Sequence, residues 1–154
     1  LSFVNRVDSM DSDADVVVVF GGTNDFGHGD AKLGTFESRD PYTFYGAMHV
    51  LCEKLINRFP NADILFMTPL HRCSEDEVSK ENGLPEETNL AGYVSIIREV
   101  AEFYGLPVLD LFSTSGLQPK VDIIKETYMP DGLHPSDAGA LRIALRLMGF
   151  LQTL

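Results

Sequence analysis

The sequence predicts an α/β domain built on a parallel sheet, and two observations carry this prediction. The segment Val16–Phe20 is a continuous apolar run, mostly of β-branched residues, which is typical of a strand buried on both faces of a parallel sheet. Helical and strand patterns then alternate along the chain in the order α-β-α-β-α-β-α. Such alternation calls for parallel strands joined by right-handed crossovers, with helices on both faces of the sheet.

In the first half of the chain, turn residues separate the periodic segments. Polar residues after position 10 break a helical pattern, and a proline directly after Asp40 is typical of a helix start. Pro60 cannot continue that helix. We therefore expect the end of a helix over 1–10, a strand over 15–20, a loop over 26–39, a helix from 40 to 59 and a strand over 62–68.

In the second half, Asn89 and Ser136 are the candidate caps of two helices, and Gly105 is typical of a helix end. The last helix should bury an apolar face formed by Leu141, Ala144, Leu145 and Met148. We expect a loop over 70–87, a helix over 90–104, a strand over 107–111, a turn over 112–117, a loop over 121–129 and a helix from 137 to about 151.

Length and charge exclude several classes of function. The 154 residues, 44% hydrophobic and 23% charged, are typical of one ordinary domain over 1–154. A net charge of −11 without clustered Lys and Arg argues against nucleic acid and against an anionic membrane surface as partners. No apolar run approaches the roughly 20 residues that span a bilayer. Cys52 and Cys73 lie in different settings and are expected to be free thiols.

The segment Asp131-Gly132-Leu133-His134 has the composition of a catalytic loop. A carboxylate three residues before a histidine can accept from one ring nitrogen and leave the other free as a general base. Pro135 prevents a helix from running through His134, because the residue before proline prefers extended geometry. The alternative is a loop histidine that only satisfies local hydrogen bonds.

The segment Gly21-Gly22-Thr23-Asn24-Asp25 directly follows the first strand. Ligands of open α/β sheets bind at the carboxyl ends of the strands, where the amide of Asn24 could point at a developing oxyanion. Alternatively, Asn24 and Asp25 are turn residues that bond their own backbone. A phosphate site is disfavoured, because the glycines lack Gly-x-Gly-x-x-Gly spacing and Asp25 would repel phosphate.

Together the two segments resemble the SGNH (GDSL-type) hydrolases, a superfamily of esterases and acylhydrolases. Gly22-Thr23-Asn24-Asp25 is similar to its Gly-x-Asn-Asp block, and Asp131-Gly132-Leu133-His134 to its Asp-x-x-His block. The resemblance implies a flavodoxin-like three-layer α/β/α fold with five strands in the order 2-1-3-4-5, of which this chain holds the last three. Neither the Gly-Asp-Ser block, which supplies the nucleophile, nor the following glycine block has a match.

The resemblance implies a serine esterase that cleaves a carboxylic ester by a Ser-His-Asp mechanism. His134 would be the general base, Asp131 its orienting carboxylate and Asn24 an oxyanion donor. Gly22, Thr23 and Asp25 are candidate substrate-binding residues. No cofactor is implied, and His28 has no partner at metal-ligand spacing. With its serine in an upstream segment, the chain alone would show only residual catalysis.

Three alternatives stay open. The chain could be a catalytically inactive SGNH-like module that binds esters or glycans, or a flavodoxin-like binding domain unrelated to hydrolases. Cys73 or a serine of this chain, such as Ser113 or Ser115, could also replace the nucleophile. The partner of the strand over 16–20 is expected to be an N-terminal fragment or a second copy, because a bare edge pairs readily. The polar loops favour a small or carbohydrate-linked acyl group.

Overall fold

The computed structural model describes residues 2–29, 32–77 and 88–154, which form a three-stranded parallel sheet with helices. The strand order is β1-β2-β3, and Val16 to Phe20 lie in register with Asp63 to Met67. The strands are β1 (Val16–Phe20), β2 (Asp63–Met67) and β3 (Val108–Leu109). The α-helices are α1 (Phe3–Arg6), α2 (Thr23–His28), α3 (Phe44–Arg58), α4 (Leu90–Phe103), α5 (Leu111–Thr114), α6 (Asp122–Tyr128) and α7 (Asp137–Leu151), and a 3₁₀ turn covers Val7–Ser9.

The central strand β2 divides the core into two layers. Ile64 and Phe66 belong to the cluster that includes the buried faces of α3 and α4. Leu65 and Met67 belong to a second cluster, which also contains Met129. Successive side chains of a strand point to opposite faces, so one strand that is buried from Ile64 to Met67 supplies both layers. The predicted α/β fold with a parallel sheet and helices on both faces is therefore confirmed.

Strand β1 has one buried and one open face. Val17 is 4% exposed and packs in the α3–α4 layer, whereas Val16, Val18 and Phe20 are 43%, 39% and 43% exposed. Val18 and Phe20 pair with Leu65 and Met67, which places them on the α7 side of the sheet. The prediction of burial on both faces is wrong, because among the described residues β1 pairs with β2 alone and no helix covers its second face.

The caps of two helices are confirmed and one is corrected. Asn89 and Ser136 accept from the backbone N–H of Gly92 and Gly139, as a side-chain cap does. The helix expected from Asp40 begins at Phe44 instead, because Thr43 accepts from the Gly46 N–H at 3.1 Å. Asp40 accepts from the Tyr42 N–H at 3.0 Å and so forms the turn before the helix.

Three short helices stand where loops or turns were expected, and one of them, α5, takes up the start of the 112–117 turn. Helix α2 takes up the start of the 26–39 loop, and Gly29, with φ 63°, ends it in a left-handed conformation. Helix α6 lies within the expected 121–129 loop and has Asp122 in its first turn, where a negative charge is favourable. Of the other loop predictions, residues 30–31 and 78–87 lie outside the described residues, as does Leu1 of the first helix.

The apolar face predicted for α7 is wrong. Leu141, Leu145 and Met148 are 62%, 56% and 57% exposed, and Ala144 is exposed too. The helix packs instead through Ile143, Leu147, Phe150 and Leu151. Apolar residues recur at helical spacing on both of these faces, so periodicity alone could not choose between them. Among the described residues, the helices are too short or too polar to cross a membrane.

Candidate active site

The two motif segments lie at the end of the sheet where the strands have their carboxyl termini. Gly22 joins β1 to α2 with φ 104°, a conformation that favours glycine. A Cβ atom at Gly22 would lie 3.1 Å from Ile97 Cδ1 and 3.3 Å from Pro69 Cγ. The glycine therefore lets the chain turn tightly over the core and begin α2 directly after the strand.

Asp131 and His134 form a hydrogen-bonded pair. Nδ1 of His134 lies 2.7 Å from Oδ2 of Asp131, and both side chains are exposed. A carboxylate can only accept, so Nδ1 carries the proton and Nε2 of a neutral ring is free to act as a base. The pair thus has the arrangement expected of a general base with its orienting carboxylate.

Hydrogen bonds from the His134 ring and from two backbone N–H groups hold Asp131 in its ionised form. Its pKa is lowered first by the hydrogen bond from the His134 ring, and then by the N–H groups of His134 and Leu133. These N–H groups donate to Oδ1 at 2.7 and 2.9 Å. The carboxylate is therefore fixed by three donors in a loop of four residues, which also fixes the ring plane of His134.

The ends of α6 and α7 hold this loop in place. The Gly132 N–H donates to the Met129 carbonyl at 2.8 Å, and Ser136 N–H donates to the Tyr128 carbonyl at 2.8 Å. Ser136 Oγ donates to the Thr127 carbonyl at 2.8 Å. Because Met129 is fully buried, the loop is anchored in the core although its functional side chains face solvent.

Asn24 lies in the first turn of α2 and is exposed. Within the described chain its side chain has no hydrogen-bond partner. The N-cap of α2 is Gly22, so Asn24 lies within the first helical turn and not at the cap. Thr23 is half-buried, and Asp25 is exposed at the same helix end as Asn24.

Residues 72 and 73, which we call the 72–73 link, join the two motif segments. Arg72 Nη1 donates to the Thr23 carbonyl at 3.2 Å, and the guanidinium lies 5.4 Å from the centre of the Phe26 ring. The Cys73 N–H donates to the Gly132 carbonyl at 2.9 Å. The link could not be found from the sequence, because Arg72 and Thr23 are 49 positions apart and no sequence pattern connects positions 23, 72 and 132.

The buried carboxylate of Glu75 binds the 72–73 link through the backbone N–H of Arg72. Glu75 Oε2 lies 2.6 Å from His71 Nδ1 and accepts from the Arg72 N–H at 3.2 Å. Its Oε1 accepts from Lys120 and Gln118 at 2.9 and 3.1 Å. Burial raises the pKa of Glu75, but the hydrogen bonds from Lys120, His71, Gln118 and Arg72 outweigh it and lower the pKa to about 2. Sequence analysis missed Glu75, which stands in a polar segment without periodicity.

The alternative nucleophiles are engaged elsewhere. Ser113 Oγ accepts from Arg98 at 2.9 Å, and Ser115 is buried and accepts from the Leu117 N–H. Cys73 Sγ points at the Pro119 carbonyl, 3.7 Å away. In the part of the chain that the structure describes, no serine hydroxyl lies within hydrogen-bond distance of His134. The same residues contain no cluster of three His, Cys, Asp or Glu side chains that could hold a metal ion.

Solved structures share this fold. One crystal structure aligns with a TM-score of 0.86 and 40% identity over 99% of this chain and 71% of its own. A protein from Lactobacillus plantarum aligns with a TM-score of 0.86 and 32% identity over 97% of this chain and 72% of its own. A possible lipase from Chitinophaga pinensis, 22% identical, aligns with a TM-score of 0.70 over 99% and 79% of the two chains.

No curated protein matches the chain at a comparable level. The model of the GDSL-like lipase/acylhydrolase family matches residues 2–142, which include both motif segments. The superfamily indicated by the two motifs is confirmed, and the chain belongs to the GDSL-like lipase/acylhydrolase family.

Proposed function

We propose that this chain is the larger part of a serine esterase or acylhydrolase whose nucleophilic serine lies in a segment upstream of it. Family membership supports an acylhydrolase at the level of the superfamily. The observation that carries the finer proposal is the pair of Asp131 and His134, with 2.7 Å between carboxylate and ring nitrogen. A histidine oriented in this way can serve as the base of a Ser-His-Asp triad.

The reaction follows from the roles of these groups. Nε2 of His134 takes the proton from the serine hydroxyl as its oxygen attacks the ester carbonyl. Asn24 donates its amide to the oxygen of the tetrahedral intermediate, and a single donor of this kind typically contributes about 10²–10³ in turnover. The imidazolium, stabilised by Asp131, returns the proton to the leaving alcohol. In the second half of the reaction, His134 takes a proton from water, and the water oxygen attacks the acyl-enzyme carbonyl. The bond to the serine oxygen breaks, the serine recovers its proton from His134, and the carboxylic acid is released.

The open face of β1 supports the upstream position of the nucleophile. Val16, Val18 and Phe20 are exposed on the side of the sheet that carries α7, whose Leu141, Leu145 and Met148 are also exposed. In this proposal the upstream segment pairs with the edge of β1 and covers these apolar surfaces. The chains of the 40% and 32% identical structures extend beyond the matched region, which accounts for only 71% and 72% of their lengths.

The substrate in this proposal is a carboxylic ester with a small or carbohydrate-linked acyl group. This preference rests on the polar sequences of the 26–39 and 70–87 segments, which contain no continuous apolar run that could form an apolar surface. A long acyl chain would need such an apolar surface to leave water.

The test compares two forms of the protein, one with its natural upstream extension and one with the 154 residues alone. Each is incubated with a serine-reactive fluorophosphonate, and intact and peptide masses are measured. We expect a label on the upstream segment of the longer form only, and hydrolysis of p-nitrophenyl acetate by that form. The His134→Ala variant, which keeps the serine, should lose both.

Three other outcomes would contradict the proposal. An unlabelled, inactive longer form would favour the inactive ester- or glycan-binding module. A label on the 154-residue chain would place the nucleophile within it. Dimers of the longer form that disappear when Val18 is changed to Lys would mean that a second copy, rather than the upstream segment, pairs with β1.

A further inference from the structure

We propose that Arg72 is a positioning residue that sets Asn24 in place relative to His134, an inference that rests on the proposed function. Asn24 and His134 come from distant parts of the chain, yet the reaction needs both at the same carbonyl group. A misplacement of about 1 Å can cost 10² in rate, so some contact must fix their separation.

Arg72 holds the helix on which Asn24 stands. Helix α2 has only six residues, and Arg72 Nη1 reaches the carbonyl and, at 3.4 Å, the hydroxyl of Thr23, the residue before Asn24. A Cβ atom at Gly27 would lie 2.8 Å from Nη1, so the guanidinium lies directly against this helix. The guanidinium also contacts the Phe26 ring, which is the third residue of α2 that it touches.

The next residue holds the loop of His134. The Cys73 N–H donates to the carbonyl of Gly132, and Gly132 stands between Asp131 and His134. Two consecutive residues thus bind one backbone carbonyl in each motif segment. Because the peptide bond between Arg72 and Cys73 is planar, the torsions that can shift these two contacts relative to each other are ψ and the side-chain torsions of Arg72.

The guanidinium is itself held before any substrate arrives. Arg72 Nε donates to Ser74 Oγ at 3.1 Å, and the Arg72 N–H donates to buried Glu75. Nη1 is occupied by Thr23. A substrate anion that used Nε or Nη1 would have to compete with these contacts, which favours positioning over substrate binding. Lysine carries all its donors on one nitrogen, so it cannot reproduce the separated N–H groups of the planar guanidinium.

The test uses the protein with its natural upstream extension and measures hydrolysis of p-nitrophenyl acetate. Arg72→Ala should lower kcat by roughly 10–100-fold with little change in KM, and Arg72→Lys should restore part of the loss. Gly27→Ala keeps Arg72 but pushes its guanidinium away, and should lower kcat in the same manner while leaving the melting temperature equal or higher. Arg146→Ala, at an exposed arginine of α7, is the matched control and should leave kcat unchanged.

A double-mutant cycle separates positioning from other roles. If Arg72 acts through Asn24, Arg72→Ala should cost less than about threefold in a protein that already carries Asn24→Ala. Full additivity of the two losses, or a change in KM alone, would overturn the inference. Equal losses in Arg72→Ala and Arg146→Ala would overturn it as well.

A readout without turnover keeps this inference separate from the proposed function. If the wild-type protein hydrolyses no ester, the proposed function fails, and the side-chain amide signal of Asn24 in an NMR spectrum still decides the role of Arg72. We expect that signal to shift or broaden in Arg72→Ala and Gly27→Ala and to stay unchanged in Arg146→Ala. An Asn24 signal unchanged in both of the first two variants would overturn the inference.

Discussion

Cys73 Sγ occupies the space beside Gly132, 2.5 Å from the position that a Cβ atom of residue 132 would take. Gly132 also has φ 78°, where side chains are strained. The loop from Asp131 to His134 and the segment after β2 are therefore in contact at a position that favours glycine.

Gly132→Ala should destabilise the protein by roughly 1–3 kcal/mol, because it adds a contact clash to backbone strain. Gly105→Ala is the matched control, since Gly105 has φ 66° but no atom within 4 Å of its Cβ position. Urea unfolding should show a larger loss for Gly132→Ala, and the added Cys73→Ala change should recover part of it. Equal losses at the two glycines would show that the Cys73 contact has no cost.

Asp131→Asn should lower kcat of the protein with its upstream extension by about 10⁴, as the loss of an orienting carboxylate does in a Ser-His-Asp triad. An asparagine can still accept the two backbone N–H groups, so the folded structure should persist. Asp137→Asn, at an exposed carboxylate in the first turn of α7, is the control for charge alone. Comparable kcat values for the two variants would argue against an orienting role for Asp131.

Glu75→Gln should reduce stability at pH 6 by roughly 1–3 kcal/mol, because it removes a buried charge that four groups bind. The pKa of Glu75 is about 2 in the folded protein, below its ordinary 4.5. Its contribution is therefore present above pH 4.5 and is lost as the pH falls toward 2. Urea unfolding from pH 6 to pH 2 should show the wild type approaching the variant. A gap that stays constant over this range would contradict the assignment, and exposed Glu77→Gln is the control.

Leu145→Lys should have different effects in the two forms of the protein. In the 154-residue chain the side chain is 56% exposed, so the change in unfolding free energy should stay within about 0.5 kcal/mol. In the longer form, where the proposed upstream segment covers this face, the buried charge should be strongly destabilising. Leu147→Ala, at a position that packs in the core, should destabilise both forms. A neutral Leu145→Lys in the longer form would show that the segment lies elsewhere.

Local signals explain what the sequence could predict. The Val-rich run of β1, the caps Asn89 and Ser136, and the spacing of Asp131 and His134 each depend on a few neighbouring residues, and the structure has all of them. Helices α2 and α6 were not predicted, because their six and seven residues make less than two helical turns and show no clear periodicity.

The missed features depend on contacts between distant residues. Arg72 binds Thr23 across 49 positions, and Glu75 binds Gln118 across 43, so no window of the sequence contains either pair. The burial of α7 depends on which of its two apolar faces meets Leu65 and Met67, and that choice is made by the sheet rather than by the helix. The features that the motifs could not predict are therefore those that depend on contacts between residues distant in sequence.

The carbonyl of Glu75 accepts from the Leu90 N–H at 3.0 Å, so the two ends of the intervening stretch are tied together before α4 begins. Insertions between residues 77 and 88 should therefore carry a small entropic cost, because the cost of bringing two chain positions together grows slowly with the number of residues between them. A change in length there would leave the 72–73 link and the pair of Asp131 and His134 in place, because the contacts described above for these residues involve other parts of the chain. The fold thus tolerates variation in chain length between positions 77 and 88 without moving the segments that hold the candidate site.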